Sequence, residues 1–512
     1  MVCILDNQSL ILSLFKIISI MIKNFKWLVL VSLTIVACSS NDEDSTPVDV
    51  PVTAGSADFS KYVALGNSLA AGYSDGALFK SGQKGSYTNL LAEQFKLVGG
   101  GEFKIPLMND DIGGILFAGS QRPGFGPRLY FTGSSSAPAL PVDGPPTTEV
   151  ADPTTSLAGP YNNMGVPGAK SYHLLAPGYG DIQGLFATPP TANPYFVRFA
   201  SSPGTTILAD ALIQNPTFFS LWIGNNDVLG FATSGGDGSD PITPSAGPAG
   251  VGFDATYTAL VDALTANGAK GVVANIPYVN TIPFFTTVGY NPIPELTAAQ
   301  VAQLNAAYAP YNGGVQAAKN GGLITEEERI QRTIVFTAGK KRPVVMIDEY
   351  LSDITPISPA LIKMRLTTPQ DYIVLASQGT SAQSHIAAGN GTAAPLEDRW
   401  VLSKKEVEEL KAATDAYNIT IKSIATAKDL AFVDANATLS QVFNGGISFG
   451  NYHLSSSYAV GGAFSMDGVH PSPRGYALIA NKFMEAINAK YSSTFKPLDL
   501  GKFSIQYPKV LN

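Results

Sequence analysis

The chain has 512 residues, 45% of them hydrophobic and only 14% charged, enough apolar material for a large buried core. A formal net charge of −7 argues against a nucleic-acid partner, which would need a basic face. Four histidines and two cysteines leave little for a dedicated zinc centre, so metal chemistry is not expected. Fifty glycines and 35 prolines imply many loops but stay below the share typical of disordered chains.

At the amino end, Lys23 and Lys26 precede the apolar stretch Trp27 to Val36, the pattern of an export signal. The stretch ends in Ile35-Val36-Ala37-Cys38, which resembles a bacterial lipoprotein box. That resemblance implies lipidation at Cys38 and a chain anchored to the cell envelope, at the outer membrane or surface of a Gram-negative bacterium. A single transmembrane anchor is the alternative, since apolar residues also occur from Leu10 to Met21. Met21 reads as a second possible start, which would make residues 1–20 an artefact of the gene model. Under either start Cys3 leaves with the leader, and the mature body contains no free cysteine.

Residues 39–58 are polar, carry Pro47 and Pro51, and read as a flexible tether to a domain spanning 59–495, with 496–512 as a tail. Tyr62 to Leu65 is a short apolar strand ending at Gly66, and a helix is expected from Tyr87 to Phe95. The Gly-, Pro- and Ser-rich stretch 99–160 reads as a long surface insertion, ordered only in part. Thr217 to Ile223 is a buried strand, Tyr257 to Asn267 a helix, and Gly271 to Ile276 the next strand. Thr297-x-x-Gln300 and Ser403-x-x-Glu406 each open a helix. Leu430 to Val433 is a last strand, and a closing helix begins at Ser472-Pro473. Strands alternating with helices imply an α/β fold with a mostly parallel sheet covered on both faces, and 278–400 is expected to decorate that same domain.

Four segments carry residue types suited to chemistry. Gly66-Asn67-Ser68-Leu69 places a hydroxyl just after the first strand, where open α/β sheets bind ligands. Asn163-Met164-Gly165-Val166-Pro167-Gly168 supplies glycines that let a backbone N–H point into a site. In Gly224-Asn225-Asn226-Asp227, the Asn226 amide could face a developing oxyanion while Asp227 accepts backbone N–H groups. Asp467-Gly468-Val469-His470-Pro471 offers a base and its carboxylate partner within one tight turn. Each of the first three also reads as an ordinary turn. His173, His385 and His453 lack a nearby carboxylate in such a turn and read as surface or structural.

Taken in order, Gly66-Asn67-Ser68-Leu69, the Gly168 loop, Gly224-x-Asn226-Asp227 and Asp467-x-x-His470 resemble the four blocks of the SGNH/GDSL hydrolases. The resemblance implies a three-layer α/β/α sandwich of flavodoxin-like kind and a serine esterase without cofactor. Ser68 would be the nucleophile, with Asp467 and His470 completing the triad. Ser68, Gly168 and Asn226 would form the oxyanion hole. The implied substrate is an acylated carbohydrate or lipid. Asn67 departs from the family pattern, which usually has Asp there. A catalytically silent glycan- or lipid-binding lipoprotein on the same fold is the competing reading. The aromatic segment around Phe284, Phe285 and Tyr290 reads as core in preference to a substrate site.

Overall fold

The computed structural model describes residues 51–134, 139–150, 157, 159–375 and 382–511. The export-signal region, Cys3, Cys38 and most of the tether lie outside the described residues. Five strands form the central sheet: β1 (Tyr62–Gly66), β2 (Asn163–Gly165), β3 (Phe218–Trp222), β4 (Lys270–Ala274) and β5 (Ala431–Val433). Their spatial order is β5-β4-β3-β1-β2, and every pairing is parallel. The register brings Gly66 level with Gly165 on one side and Trp222 on the other, so the carboxyl ends of three strands finish together. The chain runs outward from β1 to β2 and then returns to build β3 on the other side of β1. Such a reversal opens a crevice at the strand ends, where ligands of open parallel sheets sit.

The strands are apolar on both faces because both are covered by helices. The helices that matter here are α1 (Ser68–Ala71), α2 (Tyr87–Lys96), α3 (Asn226–Thr233), α4 (Phe253–Thr265), α5 (Ala298–Asn320), α6 (Lys404–Ala427), α7 (Ala435–Asn444) and α8 (Pro473–Tyr491). Tyr62, Ala64, Phe218 and Trp222 point toward Leu91 and Phe95 of α2 and toward Phe483 and Ile487 of α8. Val63, Leu65, Phe219 and Leu221 alternate to the opposite face, in the core that holds Leu260 of α4 and Tyr417 and Ile421 of α6. Local signals set the helix starts. Thr297 and Ser403 make capping boxes with Gln300 and Glu406, and the Ser472 hydroxyl accepts the Gly475 N–H ahead of Pro473.

Several expectations change in the structure. The helix expected from Tyr257 starts at Phe253, because Phe253 is itself fully buried and extends the apolar face by a turn. The 99–160 stretch is not merely surface: Ile115, Arg128 and Leu129 are buried, and two short antiparallel strand pairs organise it. Its residues 135–138, 151–156 and 158 lie outside the described residues. The end of the presumed tether is also packed. Ser56 N–H donates to Tyr491 O at 2.8 Å, and Ala57 is buried. The presumed tail folds back, burying Leu500 and setting Tyr507 edge-on to Phe79. In both cases residues outside the regular elements pack onto the core, which periodicity does not report.

Candidate active site

Strand β1 ends at Gly66, and Asn67 turns the chain into α1 by accepting the Leu69 N–H on its Oδ1 at 3.1 Å. Ser68 is thereby the first residue of a helix, so its own N–H has no intrahelical acceptor. Gly165 lies beneath this turn; a Cβ there would come within 2.4 Å of Ala71 N, so only glycine lets β2 pass so close. The helix ends after one turn at Gly72, which takes the left-handed conformation at φ +83°.

The turn before α8 delivers the other two groups. Ser68 Oγ lies 2.9 Å from His470 Nε2, and His470 Nδ1 lies 2.8 Å from Asp467 Oδ2. With Nδ1–H donated to the carboxylate, the neutral ring presents Nε2 as acceptor to the serine hydroxyl. Asp467 is buried and receives further donors: Gly76 N–H on Oδ2 at 2.9 Å, and on Oδ1 the N–H groups of Val469 and His470 at 2.8 Å and the Ser465 hydroxyl at 3.0 Å. Burial works to raise its pKa, but the imidazole's charge and these hydrogen bonds outweigh it and hold the carboxyl below its ordinary value. The turn is braced from outside by Phe284, whose N–H donates to Gly468 O at 2.9 Å. Phe284 and Phe285 are core, as expected, and Tyr290 is half-buried.

Segment 73–76 was missed as a functional feature by sequence reasoning, yet it clamps this turn. Ser74 Oγ donates to Pro471 O at 3.0 Å, and Asp75 N–H to Ser465 Oγ at 2.9 Å. Asp75 Oδ1 accepts the Met466 N–H at 2.9 Å, while its backbone stands in the left-handed region at φ +52°. Burial, aided by the charge of Asp467, pushes the Asp75 carboxyl up to about 7, against the pull of the Met466 N–H. The only sequence signal was a polar Ser74-Asp75-Gly76 turn, which local chemistry cannot tell from any other.

The third motif reaches the same place. Asn226 opens α3 and donates Nδ2 to Ala169 O at 2.9 Å, while Asp227 accepts both the N–H and the hydroxyl of Ser171, at 2.8 and 2.6 Å. Asp227 therefore braces the loop that carries Gly168, and one of the two Asn226 amide N–H groups is spent there. Gly168 has φ +82° and lies one residue from the Asn226 contact, but it is not among the residues lining the cavity described next. Among the described residues, buried Asn67 Nδ2 has no acceptor.

Ser68, Asn226 and His470 open onto a cavity of about 130 Å³ running between α7 and α8. Its walls are mostly apolar, including Leu69, Leu439, Val442 and Phe483. The other histidines stand elsewhere. His173 accepts the Lys170 N–H and stacks on Tyr179, and burial with the Lys170 charge lowers its pKa to about 4. His385 packs against Trp400, and His453 is exposed beside Ser448. Among the described residues, no group of three or more His, Cys, Asp or Glu side chains could hold a metal ion, and no helix is long and apolar enough to cross a membrane. Comparison with known proteins found no matching family model, no matching curated protein and no matching solved structure.

Proposed function

We propose that the chain is a serine esterase of the SGNH/GDSL type, built on a flavodoxin-like three-layer sandwich, exported and held to the cell envelope by lipid on Cys38. One observation carries the reading: residues 402 positions apart meet so that Ser68 Oγ, the His470 ring and Asp467 form one hydrogen-bonded line beside an apolar cavity. That arrangement suits acyl transfer. Ser68 Oγ adds to the ester carbonyl as His470 Nε2 takes its proton, and Asp467 offsets the imidazolium charge. The Ser68 N–H, the Gly168 N–H and the Asn226 amide are the assigned donors to the oxyanion. The C–O bond to the alcohol breaks as His470 returns the proton to the leaving oxygen. Water then attacks the acyl-serine, gives its proton to His470, and the acid departs while Ser68 regains its hydrogen.

Hydrolysis of p-nitrophenyl acetate by the full chain tests this. Ser68→Ala and His470→Ala are each expected to lower kcat by about 10⁶-fold while thermal unfolding stays close to wild type. Equal turnover by wild type and Ser68→Ala would remove the esterase assignment and favour a binding lipoprotein.

A further inference from the structure

The cavity also bears on which ester is cleaved. Its polar lining includes the catalytic pair Ser68 and His470 with Asn67, Asn225 and Asn226. Apart from these the lining offers Thr438 and Lys482 as polar groups, and the Lys482 ammonium already pairs with Glu485 at 2.9 Å. The Trp222 indole N–H is likewise spent, on Asn275 O at 3.0 Å. A sugar ring pushed into this space would lose water from several hydroxyls and find few partners, at a cost for each one left unpaired. A hydrocarbon chain has no such groups and gains by leaving water.

Size points the same way. At about 130 Å³ the cavity is close to the ~150 Å³ of an apolar cavity that takes up benzene, so a run of roughly six carbons fits it. The mechanism selects which half of the ester sits there. The alcohol must leave before water attacks, whereas the acyl group stays bonded to Ser68 through both steps. A seat between two helices, continuous with Ser68, suits the group that stays.

We propose, building on the esterase reading, that this cavity seats a linear acyl chain and that the enzyme prefers esters of medium-chain fatty acids to acetylated sugars. Leu439 and Thr438 of α7 and Ile479 of α8 then set chain preference.

The test is a p-nitrophenyl ester series from acetyl to hexadecanoyl, run on the full chain beside a matched series of alkyl acetates. Each methylene held should raise kcat/KM about fourfold at first, giving a gain of about a hundredfold or more between acetyl and octanoyl. Leu439→Trp should lower the octanoyl-to-acetyl ratio at least about tenfold, with its unfolding curve reporting whether it folds. Ser68→Ala should still bind dodecanoate, a reading independent of turnover. Ser68-dependent acetate hydrolysis that weakens with acyl length overturns the chain proposal and leaves the esterase reading intact. A gain confined to the alkyl acetate series places the alcohol in the cavity and overturns the acyl assignment. If no ester in either series is cleaved in a Ser68-dependent way, both readings fall.

Discussion

In the 278–400 region the Arg365 guanidinium closes on two buried carboxylates, donating Nε to Asp348 at 2.5 Å and Nη1 to Asp371 at 2.7 Å. In the turn before α8, Asp467 is just as buried, but its partners are backbone N–H groups, a hydroxyl and one imidazole. Burial works against the charge on Asp371, yet Arg365 and the Thr368 donors hold that carboxyl below its ordinary value, as His470 and its neighbours do for Asp467. The distinction lies in the counter-charge. A guanidinium never gives up its proton, so the Arg365 cluster is static, and it ties the insertion to α6 through Lys404 N–H on Asp371 at 3.0 Å. An imidazole can take up a proton and hand it back, and the His470 ring faces a hydroxyl. Equal burial therefore yields a brace in one place and a candidate catalytic pair in the other.

Between these two clusters the larger effect should come from keeping the shape of the second while removing its charge. Asp467→Asn is expected to lower kcat for a short aryl ester about 10⁴-fold, because the ring loses both its tautomer lock and its counter-ion. A loss under tenfold in steady-state assays would mean that His470 works without the carboxylate.

Breaking the first cluster should act on stability instead. Arg365→Met leaves Asp348 and Asp371 buried without their cation, at about 3–5 kcal/mol in urea unfolding. Turnover per folded molecule should hold. An unchanged urea midpoint would show that the pair is not worth what its burial implies.

Asp75 sharpens the comparison from inside the site, as a buried carboxyl beside Asp467 with its pKa moved the opposite way, up to about 7 from 3.8. Between those values the folded state keeps a proton that the unfolded chain releases, so this group's contribution falls as pH rises from about 4 to about 7. For Asp467 the sign reverses: its contribution is present above the ordinary carboxylate value and is lost as pH falls through its lower folded value. Asp75→Asn keeps an acceptor for the Met466 N–H and should remove the downward slope, on the order of 3 kcal/mol between pH 4.5 and 7.5. Parallel stability–pH curves for wild type and variant would count against a buried, protonated Asp75.

Much of this molecule could be read from local pattern. Continuous apolar runs marked β1, β3 and β4, since strands covered on both faces need no polar alternation. Capping residues at Thr297, Ser403 and Ser472 marked helix starts, since a side chain three residues from an orphan N–H answers it wherever the helix goes. The Asp467-to-His470 pairing was also local, within a single turn.

What no local rule could supply was the meeting of Ser68 with His470, the clamp of residues 73–76 on 465–471, or the return of the last residues onto Arg128 and Phe79. The cavity between α7 and α8 is of the same kind, because one wall is the expected closing helix and the other a helix that the sequence reading did not mark. Backbone propensity and capping act over a few residues, whereas these contacts depend on where the strand order sets distant loops down. Residue types along the chain therefore dictated which groups were on hand, and the parallel pairing of β1 with β3 beneath the closing helix decided which of them touch.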